Sequence, residues 1–103
     1  MSNNRRAYRL NVVGDFYVED GCCTLCGVPG VTAPELFGGF NPDGTVPDGV
    51  EQCWVKRQPV STAELEAMVE TMARQELACI RYRGTNQQIV ARLSELGEGA
   101  QVD

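Results

Sequence analysis

Apolar positions along this chain repeat with two different periods, and the switches between them mark the elements. "NVVGDFYVED" is rich in β-branched and aromatic residues, with Val12 and Val13 ending one run at Gly14 and Phe16, Tyr17 and Val18 forming the next. It predicts a strand over residues 15–19. Gly21, Gly27, Pro29 and Gly30 then break any regular element, so residues 20–31 read as a loop. A short helical turn starting at Thr32 or Ala33, with Pro34 tolerated in its first turn, ends at Gly38-Gly39. Two Asp-Gly signals make residues 41–49 a surface loop. "VEQCWVKR" alternates as a strand that Pro59 stops. Ser61 with Glu64 is a capping box, and Leu65, Met68, Val69, Met72 and Ala73 follow at helical spacing. "LACIRYR", residues 77–83, is the next strand. A last helix, capped by Thr85, carries Ile89, Val90, Leu93 and Leu96 on one side and stops at Gly97.

Strands and helices thus alternate irregularly within 103 residues, which predicts one α+β domain with an antiparallel sheet and helices packed on it. Its expected bounds are residues 7–97, with tails at 1–6 and 98–103. No apolar run approaches a membrane span, and the polar N-terminus has no signal-like apolar region. A cytoplasmic protein is expected, with no membrane partner. The net charge of −5 argues against nucleic acid and suits a protein partner with a basic docking surface. Histidine is absent, which removes His-based acid–base catalysis and leaves any metal site to thiolates. With no phosphate loop and no nucleophile triad, no enzymatic activity is expected.

Five cysteines stand at positions 22, 23, 26, 53 and 79. The odd number and the expected compartment weigh against a disulfide framework. Cys23 and Cys26 have C-x-x-C spacing, which turns two thiolates toward one centre, and Gly27 lets backbone approach it. Such a pair serves a redox dithiol, half a zinc site or half an iron–sulfur site. The following Gly27, Pro29 and Gly30 disfavour the first, because a thioredoxin-like pair opens a helix.

The stretch Cys23-Thr-Leu-Cys26-Gly27-Val-Pro29 with Ala33-Pro34-Glu-Leu-Phe37 resembles the bacterial-type single-cluster ferredoxins. Their pattern runs C-x-x-C-G-x-C-x-x-x-A-P-x-x-F. The resemblance extends over residues 14–83, through "FYVED", "DGVEQCWVKRQP", the helix at 61–75 and "ACIRY". It implies a small ferredoxin-like fold, here with an extra C-terminal helix, and electron transfer on an iron–sulfur cluster.

The chain departs from that family at two ligands. The third cysteine falls on Pro29, and the fourth on Gln75 or Glu76. A rearranged set of Cys23, Cys26, Cys53 and Cys79 is the expected cofactor and metal site, holding an iron–sulfur cluster or, alternatively, structural zinc. A third alternative has no metal: a ferredoxin-like binding module, of immunity or regulatory type, that meets a basic partner through its acidic face. Cys22, Cys53 and Cys79 are also suited to pack as small apolar residues.

Overall fold

Phe16–Val18 form strand β1 and Ile80–Tyr82 form strand β4, paired antiparallel with Phe16 opposite Tyr82, Tyr17 opposite Arg81 and Val18 opposite Ile80. The computed structural model describes residues 6–22, 27–43, 45–75 and 78–103. All three residues of each strand are buried, because both faces of this ribbon are covered. On one face the Phe16 and Tyr82 rings meet at 4.8 Å between centroids. On the other, Arg81 and Tyr17 reach Asp103.

Phe37–Gly38 and Trp54–Val55 form a second antiparallel pair, β2 and β3. The sequence predicted one sheet; the described strands make two separate two-stranded ones. Asn11 joins them. Its side-chain amide donates to the carbonyls of Tyr8 and Val18, and its Oδ1 accepts from Val18 N at 3.1 Å and Val55 N at 2.9 Å. One side chain therefore satisfies backbone groups of β1 and β3 that a continuous ladder would otherwise pair. Gly38 is required where the Trp54 indole crosses it, since a Cβ there would lie 2.4 Å from the ring.

Helix α1 spans Val28–Thr32, earlier than the short turn expected after Thr32. Pro29 sits in its first turn, where a missing N–H costs nothing, and so starts the helix instead of breaking it. The expected end of that turn, Phe37–Gly38, is strand β2.

Helix α2, Thr62–Arg74, begins at the expected capping box: Glu64 N donates to Ser61 Oγ at 3.1 Å, and Ser61 N donates back to Glu64 Oε1 at 3.3 Å. Met68, Val69, Thr71 and Met72 are buried, Leu65 is half-buried and Ala73 is exposed. The Thr71 hydroxyl returns a hydrogen bond to Ala67 O, which makes its burial tolerable. Helix α1 packs against α2. Helix α3, Gln87–Glu95, is capped by Asn86 and not by Thr85; the Asn86 side-chain Oδ1 accepts from Gln88 N and Ile89 N. Leu93 is its fully buried residue.

Residues 98–103, expected to be a tail, belong to the fold. Gly99–Gln101 form a 3₁₀ turn, and Gln101 is buried with its amide donating to Met72 O. Val102 bridges to Tyr82 in parallel, and Asp103 N donates to Tyr82 O at 2.8 Å. The polar composition of this segment hides that role, because its contacts are hydrogen bonds and an ion pair. At the other end, Tyr8 is buried and Ala7 bridges Glu19. The result is a small α+β domain, as the sequence predicted, with a core of Phe16, Val18, Leu36, Phe37, Val55, Met68, Met72, Ile80, Tyr82 and Leu93 among others.

On the surface, Arg92 of α3 pairs with Glu66 of α2 at 3.0 Å. The hydrogen bond from Arg92 holds the Glu66 carboxyl below the usual glutamate range. A depressed carboxylate pKa contributes stability above the unfolded-state pKa, and that contribution disappears as pH falls through the folded value. An NMR titration should therefore find Glu66 titrating below the ordinary glutamate range, and Arg92→Gln should return it to that range. An unchanged Glu66 titration in Arg92→Gln would show that the pair does not form in solution.

Candidate functional site

The cysteine end of the molecule is built where β1 runs out. Glu19 N donates to Cys79 O at 2.8 Å, carrying the β1–β4 pairing one residue further. The chain then turns at Gly21, whose φ of 76° lies in the left-handed region glycine favours. Gly21 N donates to Gln52 Oε1 at 2.8 Å, while Gln52 Nε2 donates to the carbonyls of Glu19 and Cys53, each at 3.2 Å. Gln52 is buried, so its amide is a fixed staple between the start of the cysteine loop and the segment leading into β3.

A second glutamine does the same for β4. Gln75 Oε1 accepts from Cys79 N at 3.1 Å and from Ile80 N at 3.0 Å, and its Nε2 donates to Met72 O. Gln75 is one of the two positions, with Glu76, where the missing fourth ligand is expected from the sequence. Its side-chain amide pins the strand entrance.

The described start of the cysteine loop, Gly21 and Cys22, therefore meets the segments that carry Cys53 and Cys79 at one end. Cys53 and Cys79 are both buried and belong to the same core cluster, with Cys22 packed against it. Cys23 and Cys26 lie outside the described residues. The sulfur of Cys79 is bonded to that of Cys22, with the two Cα atoms 5.5 Å apart and a sequence separation of 57. This corrects two expectations. The chain does contain a disulfide, and in this form Cys79 is not a thiolate ligand. Spacing gave no sign of the pairing, because Cys22 and Cys79 are brought together only by the antiparallel register of β1 and β4. The signal available in sequence was the extra cysteine immediately before the C-x-x-C pair.

Among the described residues, no group of three or more cysteine, histidine or acidic side chains is placed to hold a metal. With Cys79 committed to Cys22, the set of Cys23, Cys26, Cys53 and Cys79 cannot supply four thiolates, so the disulfide form fits neither an iron–sulfur cluster nor a zinc ion.

Acidic side chains flank this end. Asp20 and Glu51, next to Gly21 and Gln52, are exposed, and Glu19 is half-buried. Away from it, a cleft of about 440 Å³ opens between β1 and the starts of α2 and α3, lined by Asp15, Gln58, Leu65, Tyr82 and Ile89 among others. It contains no cysteine and is separate from the thiol chemistry. Among the described residues, no helix is long and apolar enough to cross a membrane. Comparison with family models, with curated proteins and with solved structures found no match.

Proposed function

We propose that this protein is a small ferredoxin-like electron-transfer protein of the cytoplasm whose reduced form binds an iron–sulfur cluster through non-standard cysteine ligation. The observation that supports the reading is the approach of Gly21 and Cys22, which lead into the C-x-x-C pair, to Cys53 and Cys79 at one end of the fold, held there by the Gln52 and Gln75 amides. The ligands are Cys23, Cys26, Cys53 and Cys79, and the cluster supplies the one-electron couple. The protein's own contribution is placement. Burial of Cys53 and Cys79 keeps water from the thiolates, and the exposed Asp20 and Glu51 present negative charge to a basic redox partner.

The Cys22–Cys79 disulfide favours a second reading, a cluster-free binding module on the same scaffold. It ties the loop to β4 without any metal, which is what a stable apo fold needs. Anaerobic purification with reductant, followed by iron, sulfide and zinc analysis, decides between them. The electron-transfer reading expects brown protein with iron and acid-labile sulfide in comparable amounts. Colourless protein that takes up no iron after anaerobic reconstitution overturns it and leaves the binding module, whereas stoichiometric zinc without sulfide makes the site structural.

A further inference from the structure

The Cys22–Cys79 disulfide occupies one of the proposed ligands, and its two halves are held very differently. Cys79 is 4% exposed, and its backbone is fixed on both sides: its N–H goes to Gln75 and its carbonyl accepts from Glu19. Ile80, the next residue, is locked in the β1–β4 register. All of these are bonds of the backbone, and none is made by the Cys79 sulfur. Cys22 is half-buried, and its own N–H makes only a long contact of 3.4 Å to Glu19 O. It follows Gly21, where an added Cβ would meet nothing within 4 Å. Opening the bond therefore releases the Cys22 side of the loop and leaves Cys79 where it stands.

We propose that Cys22 and Cys79 form a reversible redox latch, in which the disulfide excludes metal from the cysteine end and its reduction returns Cys79 as a thiolate donor. The inference rests on the thiolate-site reading above. The reductant is a small or protein dithiol. One of its thiolates attacks the more accessible Cys22 sulfur, the Cys22–Cys79 bond breaks, and Cys79 leaves as thiolate. The second thiol of the reductant then displaces Cys22 from the mixed disulfide. The two electrons come from the dithiol, which becomes a disulfide, and its two protons balance the two cysteine thiols formed. In a reducing cytoplasm a disulfide of this kind is a transient, signalling state and not a structural one. Oxidation would thus empty the site and close it in one step, sparing the thiolates further oxidation.

The test uses Cd²⁺ alone as a probe of thiolate donors, read by its thiolate charge-transfer absorption, on full-length protein. Oxidised and reduced samples are first verified by peptide mapping of Cys22 and Cys79. The reduced protein should bind Cd²⁺, and the oxidised protein should bind about tenfold or more weakly. Adding a dithiol should restore binding in step with the appearance of two alkylatable thiols. Cys22→Ser should bind Cd²⁺ whether or not oxidant is present, because Cys79 can no longer be captured. Equal binding by the mapped disulfide form overturns the latch while leaving the metal reading intact. Loss of the oxidant effect must also appear in Cys22→Ser; if oxidant still abolishes its binding, another pair is responsible and the latch is wrong. Failure of the reduced protein to bind Cd²⁺ overturns the latch and the thiolate site together. Cd²⁺ binding without any iron–sulfur reconstitution removes the electron-transfer reading and supports the latch.

Discussion

Cys22→Ser should lower the stability of the oxidised protein by roughly 4 kcal/mol, the chain-entropy value for a crosslink of this span. The bond joins residues separated by 57 in sequence, more than half of the chain, so it removes a large share of the unfolded ensemble's freedom. For a domain of this size that loss corresponds to a fall in melting temperature of roughly 15–30 °C. Reduced wild type and Cys22→Ser should then unfold together, because the variant has no disulfide to lose. Both should remain folded, since Gln75, Asn11 and the β1–β4 ladder are untouched. Melting curves in the presence and absence of reductant make the comparison. If reductant leaves the wild-type melting temperature unchanged, the disulfide does not constrain the solution protein.

Asp103→Ala should cost about 3–5 kcal/mol, the effect of removing one partner from a buried ion pair. Arg81 has a side chain only 6% exposed, and its Nε donates to Asp103 Oδ1 at 2.8 Å. Its Nη2 donates to Ala100 O at 2.9 Å, and the Tyr17 hydroxyl donates to the other Asp103 oxygen. Without the carboxylate, the buried guanidinium loses the anion that balances it, and residues 99–103 lose one of their anchors to β4. The combined change Arg81→Met with Asp103→Leu should recover much of the loss, because an apolar pair of similar volume leaves nothing charged to bury. Urea unfolding of the two single variants and the double variant measures this. A loss below about 1 kcal/mol in Asp103→Ala would mean that the pair behaves as a solvated surface bridge.

Helices α2 and α3 were the most legible part of the chain. Ser61 and Glu64 carry a complete start signal within four residues, and Met68, Val69 and Met72 repeat on one face, so α2 can be read without knowing what it packs against. β1 and β4 were readable for a similar reason, as short runs of residues that fit a buried strand. The boundaries failed where one residue serves two rules. Pro29 reads as a breaker in a glycine-rich stretch, yet at the first turn of α1 it is a helix starter. Asn11 reads as an ordinary polar residue before two valines, but its amide joins β1 to β3 across 44 positions of sequence. No local pattern encodes such a bond.

The candidate site divides in the same way. The sequence by itself determined which chemistry is available: five thiols, no imidazole, and a C-x-x-C pair followed by glycine. It also determined the α+β class, because hydrophobic period and capping are local properties that survive without tertiary context. Tertiary structure alone decided which cysteines meet. The antiparallel register of β1 with β4 sets Glu19 beside Cys79, and that single alignment brings Cys22 within bonding distance of a residue far away in the chain. Likewise, residues 98–103 look like a polar tail until Arg81 is buried and needs a carboxylate. Spacing along a chain records neighbours on one element; partners on different elements are chosen by how the elements pack, and both the disulfide and the Arg81–Asp103 pair belong to that second kind.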